Sequence, residues 1–211
     1  MDEAVLTPRA RAKRAQISAA ARALFLTQGF ARTSMDAISA EAGVSKQTVY
    51  AYFAGKAELL AEIVARELSS QAVTDSATPA IVSPAQLRQA LLRIGAVVTS
   101  RLMTTDALAL LRLLVGEAIH LPELRPLFRQ ALPAQLIKGV GAVLSDAAGR
   151  GLIEVPNLEI SARMLVGPLM SFVVLDGLFS TDGEPHPPSD EDLAFLVDAF
   201  LRTVTGPGAV R

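Results

Sequence analysis

Residues 33–56 read TSMDAISAEAGVSKQTVYAYFAGK, and the order of residue types in this stretch decides the fold. Thr33 or Ser34 offers a hydroxyl suited to a helix N-cap, and Asp36 stands in the first turn, where a carboxylate meets the positive end of the helix dipole. This first helix runs through Ile38 to Ala42. Gly43 then takes the left-handed conformation that ends it, Val44 returns to the core, and Ser45 caps a second helix. Two short helices joined by a turn of about three residues make a helix-turn-helix. In the second helix Val49 and Phe53 lie four apart on one buried face, so Gln47, Thr48, Tyr50 and Tyr52 project around the rest of the circumference. Lys46 and Lys56 bracket that face with positive charge. Hydroxyls, amides and ammonium groups hydrogen-bond phosphate oxygens and base edges, which predicts a major-groove reader built from Thr33, Ser34, Ser45, Lys46, Gln47, Thr48, Tyr50, Tyr52 and Lys56. Taken singly these residues describe the polar side of any helix; only their ordered combination is specific.

Working outward, residues 1–11 read as a mobile arm. Arg9, Arg11, Lys13 and Arg14 sit where that arm becomes helix, a pattern that suits contact with phosphate or the minor groove and equally suits a solvated terminus. From Lys13 to Thr27 the apolar set Ile17, Ala20, Ala21, Leu24 and Phe25 recurs at three- and four-residue spacing, an amphipathic helix ended by Gly29. After Lys56, the residues Leu59, Leu60, Ile63, Val64 and Leu68 mark a helix leading out of this head into the rest of the chain.

The elements Gly29-Phe30, Thr33-Ser34, Ile38, Ala42-Gly43-Val44-Ser45-Lys46, Tyr50-Ala51-Tyr52-Phe53 and Lys56 resemble the DNA-binding unit of the TetR family of bacterial transcriptional regulators. The likeness covers roughly residues 12 to 64. It implies an N-terminal DNA-binding domain, residues 1–55, and a helical domain, residues 56–211, that binds a ligand and forms a homodimer. Position 47 is often small in similar proteins. Here it is Gln47, whose amide can pair with adenine. VGEAIHLPELRPLF followed by GRGLIE is also similar, more loosely, to the ligand-binding half of a subset of these regulators.

Charge supports the division. The chain of 211 residues has a net charge of −1, yet residues 1–57 hold eight Lys/Arg against four Asp/Glu, a net +4, and the remainder is −5. A basic head is the electrostatic footprint of a nucleic-acid partner. Hydrophobic residues make up 51% and charged residues 19%, below the usual quarter, so some apolar surface is expected to be covered by a partner. With no cysteine and two histidines, His120 and His186, a thiol or histidine-rich metal centre cannot be built from one chain, and no cofactor is expected. No Gly-x-Gly-x-x-Gly, P-loop or Gly-x-Ser-x-Gly motif supports catalysis. The N-terminus lacks the apolar segment of a signal peptide, and the apolar run Met164–Leu175, interrupted by Gly167-Pro168, is too short to span a bilayer. A cytoplasmic protein with no membrane partner is the expectation.

Beyond the head no strand pattern occurs, so the expected fold class is all-α. Ser83-Pro84-Ala85-Gln86 and Ser189 with Asp192 form capping boxes that start helices; Asn157 caps another, which reaches Phe179 with a kink at Gly167-Pro168. Glu123–Gln130 reads as a short helix ahead of Pro133. Met103, Phe128, Met164 and Phe172 are flexible or flat apolar side chains suited to the walls of a pocket for a small hydrophobic effector, although such a stripe also serves as plain core. Phe195 and Phe200, on the last apolar helix, are expected at a dimer interface with the helix before it. The reading is a homodimeric repressor that binds double-stranded, palindromic operator DNA and is released by that effector. An activator or a ligand-independent regulator carries the same head. A helical small-molecule carrier or enzyme with a vestigial helix-turn-helix is the alternative of another class.

Overall fold

A computed structural model of the chain describes residues 7–68, 81–126 and 134–204, and all regular structure among them is helical. In chain order the helices are α1 (Pro8–Gln28), α2 (Met35–Glu41), α3 (Lys46–Tyr52), α4 (Lys56–Leu68), α5 (Pro84–Leu102), α6 (Thr105–His120), α7 (Gln135–Gly149), α8 (Leu158–Ser171) and α9 (Asp190–Val204). A 3-10 turn, Pro122–Leu124, follows α6, and α8 runs on into a π-helical turn, Phe172–Leu178. The expected short helix Glu123–Gln130 is therefore a 3-10 turn at its start, and residues 127–130 lie outside the described residues.

The chain divides into two compact units, residues 1–67 with 109–128 and residues 68–108 with 129–211. In the first, α1 starts earlier than the apolar periodicity indicates. Thr7 accepts the Ala10 N–H and Pro8 occupies the first helical position, a capping pair that places Arg9 and Arg11 on a helix instead of in a mobile arm. One face of α1 buries Ile17, Ala21 and Phe25, and with Phe30, Ile38, Val49, Phe53, Leu59 and Leu60 these make the core of this unit. Phe25 and Phe30 meet at 5.2 Å between ring centroids.

In the second unit α5 packs on α9, α7, α8 and the π-helical turn, and α8 packs most extensively on α7. Ser189 and Asp192 cap each other reciprocally as expected; at Ser83 the cap forms, Ser83 accepting the Gln86 N–H, but the Gln86 amide oxygen takes the N–H of Val82, one residue ahead of the cap. Arg88 holds Asp198 through two bonds of 2.6 and 2.9 Å, fixing α9 on α5. The irregularity near Gly167-Pro168 takes the form of the π-helical turn that follows. There Gly177 is buried, and a Cβ on it would lie 2.9 Å from Leu108 Cδ2 and 3.7 Å from Met103 Cε, so glycine permits the close approach.

Helix α8 with its π-helical turn, Leu158–Leu178, is a 21-residue helical run of mean hydropathy 1.6, long and apolar enough by length and composition to cross a membrane. The sequence-based expectation of a run too short to do so is corrected, because the helix continues through Gly167-Pro168 instead of breaking there. Its inner face is committed to protein: Ala162, Leu165, Val166, Leu169 and Val173 are buried against neighbouring helices. Its outer face exposes Leu158, Ile160, Met164, Val174, Leu175 and Phe179, with Phe195 exposed on α9.

Candidate nucleic-acid interface

The devices that start α2 and α3 and turn the chain between them are local. Ser34 accepts the Ala37 N–H at 3.0 Å and starts α2; Gly43 sits at φ +61°, where an L side chain is strained; Ser45 accepts the Thr48 N–H at 3.1 Å and starts α3. Ser45 Oγ and Thr48 Oγ1 lie 2.7 Å apart, which holds the two hydroxyls together at the N-terminal edge of α3. Val49 and Phe53 are buried as the spacing predicts, and Val44 is half-buried. Ser45, Lys46, Gln47 and Tyr50 are exposed, with Thr48 and Tyr52 half-exposed, so α3 presents an amide, hydroxyls and an ammonium on its free face. Gln16 donates its amide to the Ala42 carbonyl at 2.7 Å and pins the turn to α1.

Two of the expected contact residues turn inward. Thr33 is only 2% exposed and donates its hydroxyl to the Gly29 carbonyl at 2.8 Å, so it braces the entry to α2 and Ser34 alone is the N-cap. Lys56 donates to the Phe30 carbonyl at 2.7 Å and the Ala31 carbonyl at 3.3 Å, and its ammonium stands 4.6 Å from the Phe30 ring centroid. These bonds tie the start of α4 to the loop before α2, an attachment between residues far apart in sequence. Lys56→Ala is therefore expected to destabilise the protein by about 1–2 kcal/mol, by removing charge-assisted bonds, while the salt dependence of DNA binding stays as in the wild type. Denaturant titration together with binding isotherms at several salt concentrations checks both halves of this expectation.

Two features of the head were not visible as candidates in the sequence. Arg14 on α1 pairs with Glu62 on α4 and lies 4.6 Å from the Phe53 ring centroid, while Ser18 donates to the other oxygen of Glu62 at 3.0 Å. The second is an ion pair of 2.7 Å between Lys46 of α3 and Asp36 of α2. The hydrogen bond that Lys46 donates to Asp36, and then the carboxylate's charge, raise the Lys46 ammonium above the ordinary lysine value. Glu58, whose carboxylate takes the Ala54 N–H at 2.6 Å, completes the capping of α4.

Among the remaining expected residues, Met103 is buried and Phe172 half-buried in the second unit, whereas Met164 is 48% exposed on the outer face of α8. Phe128 lies outside the described residues. Of the two aromatic side chains expected at a dimer interface, Phe195 is 69% exposed, but Phe200 is 5% exposed and belongs to the chain's own core, because it shares the buried stripe of α9 with Leu193, Val197 and Val204. Among the described residues no group of three or more His, Asp or Glu side chains is placed to hold a metal ion.

A capped, outward-facing polar helix across a glycine turn from its partner defines the class, a helix-turn-helix DNA-binding protein. Comparison with known proteins places it within that class. Residues 17–63 match the family described as bacterial regulatory proteins, tetR family, and residues 89–204 match the family described as AefR-like transcriptional repressor, C-terminal domain. The chain belongs to the TetR family and is a transcriptional regulator. A TetR-family transcriptional regulator from Mesorhizobium loti superposes with a TM-score of 0.75 at 29% identity, covering 95% of this chain and 100% of that one. The flavonoid-responsive regulator FrrA superposes with a TM-score of 0.70 at 28% identity, covering 94% and 100%. The transcriptional repressor SCO4008 of Streptomyces coelicolor is 37% identical over 68 residues, 32% of this chain and 35% of that protein, so the match spans about a third of that relative.

Proposed function

We propose that the protein is a cytoplasmic, homodimeric repressor that binds a palindromic operator through Ser34, Ser45, Lys46, Gln47, Thr48, Tyr50 and Tyr52, and that a small apolar effector releases it. The observation that carries the DNA contact is the free polar face of α3, whose backbone is capped and whose hydroxyls and amide are left outward. Residues 1–55 read DNA and residues 56–211 bind effector and partner. Two such heads related by a two-fold axis enter successive major grooves about 34–36 Å apart. Selection of bound sequences from a random DNA pool tests this; a pool without an enriched palindrome would turn the reading toward a helical carrier.

Within that site Gln47 is the base reader. Gln47→Ala is expected to relax preference at one position per half-site at a cost of about 1–3 kcal/mol, the worth of a bidentate amide–adenine contact. Competition binding against operator variants checks it, and equal weakening on every sequence would reassign Gln47 to the backbone.

The outward apolar face of α8 and α9 supports dimerisation. Ile160, Met164, Val174, Leu175 and Phe179 recur along the helix with Gly167 and Ser171 exposed between them, and Phe195 adds to the face from α9. Small residues let a second helix approach, and a contiguous apolar face of this kind matches a four-helix interface between symmetry mates. For the effector, the supporting observation is the π-helical turn, an irregularity that favours ligand sites, packed on Met103 and carrying Phe172. FrrA is named for a response to flavonoids. A flat aromatic effector fits the same side chains here. Titrating flavonoids with and without operator tests the coupling, because release requires the effector to bind more weakly when operator is present, by the factor it imposes on DNA affinity.

A further inference from the structure

Asp36 and Lys46 sit on different helices of the DNA-reading motif, and their ion pair spans the turn at 2.7 Å with the two side chains 66% and 59% exposed. The Ala37 N–H is already taken by Ser34, so the start of α2 is capped without Asp36. A carboxylate on this face is costly in itself, since duplex DNA carries one negative charge per ~1.7 Å of axis and repels it. Its ion-pair partner is the lysine next to Gln47, the proposed base reader.

We infer that Asp36 tempers operator affinity: it holds Lys46 in a pair that well-seated operator DNA must break and loosely held DNA leaves closed. The inference rests on the DNA-contact reading above. When α3 is fully inserted, a phosphate comes within reach of Lys46 and replaces Asp36 as its partner; the exchange exposes the carboxylate, and the base contacts made at full insertion offset that cost. On DNA of the wrong sequence α3 stays shallow, the pair stays closed, Lys46 contributes nothing, and Asp36 stays neutralised. The cost of opening the pair therefore falls on specific binding, while non-specific binding forgoes only a Lys46 contact too weak to open it.

The test uses the full chain as wild type, Asp36→Asn, Lys46→Gln and the double variant. Each is titrated against the duplex that the wild type selects from a random pool and against a scrambled duplex, over a range of KCl concentrations. Asp36→Asn is expected to tighten binding to the selected duplex about fivefold and to the scrambled duplex about twofold or less, so discrimination rises. Lys46→Gln is expected to shallow the log–log salt slope on the selected duplex by about 0.9 per protomer, and to cancel most of the gain from Asp36→Asn when the two are combined. Equal tightening on both duplexes overturns the inference, because Asp36 is then a repulsive charge that does not discriminate. Unchanged affinities with a lower melting temperature also overturn it, leaving Asp36 as a helix-dipole residue. If the wild type selects no sequence, the DNA-contact reading fails and takes this inference with it; selection by the wild type with a neutral Asp36→Asn sinks this inference alone.

Discussion

Phe195→Glu and Leu175→Glu are expected to give folded monomers whose affinity for operator DNA falls by about 10²–10⁴-fold, because a linked second head adds that much avidity to the first. Both side chains are largely exposed in the single chain, at 69% and 63%, so a charge there leaves the protomer's own core intact. Across a two-fold axis the same charges would meet their symmetry mates in an apolar seam, where like carboxylates are desolvated and repel. Phe200→Glu is the control. That side chain is buried in its own chain, so an unpaired carboxylate there is expected to yield insoluble or unfolded protein. Sedimentation velocity with circular dichroism separates these outcomes, and a wild-type chain that sediments as a monomer at micromolar concentration removes the interface.

Arg14→Ala is expected to destabilise the protein by about 1–3 kcal/mol, the cost of breaking a largely buried ion pair, moderated by Arg66, which still stands 3.4 Å from Glu62. Arg14 and Glu62 are only 13% and 12% exposed. The arginine also covers the Phe53 ring, so truncation removes that contact together with the ion pair, while Ser18 and Arg66 still hold Glu62. Glu62→Ala is expected to cost a similar amount for the same reason. Replacing both by apolar side chains, Arg14→Met with Glu62→Leu, is expected to recover much of the loss, since a hydrophobic substitute for a buried pair is often neutral. Urea denaturation of the four proteins measures it; additive losses in the double variant would show that the two charges do not act as a pair.

The helix-turn-helix was legible because its caps and its turn are local. Ser34, Gly43 and Ser45 act within three or four residues of themselves, and the Val49–Phe53 spacing identifies the buried side of α3 without reference to the rest of the chain. The caps at Ser83 and Ser189 were legible for the same reason. The early start of α1 was equally local, in Thr7-Pro8, but apolar periodicity does not register a cap that lies ahead of the first apolar residue.

Lys56 and Thr33 looked like exposed polar groups beside a DNA-reading helix, and only the folded head shows that the carbonyls of Gly29, Phe30 and Ala31 take them. Helix α8 is apolar on nearly all sides, so its sequence carries no phase to say which residues face inward. Packing on α7, α5 and α9 chose Leu165, Val166 and Leu169 for the core and left Ile160, Met164 and Leu175 outside. Sequence by itself determined the caps, the turn and the residue types on the reading helix, because those depend on interactions within one or two helical turns. Tertiary structure alone decided the Asp36–Lys46 and Arg14–Glu62 pairs and the inward turn of Phe200, because each is set by where separate helices come to rest against one another.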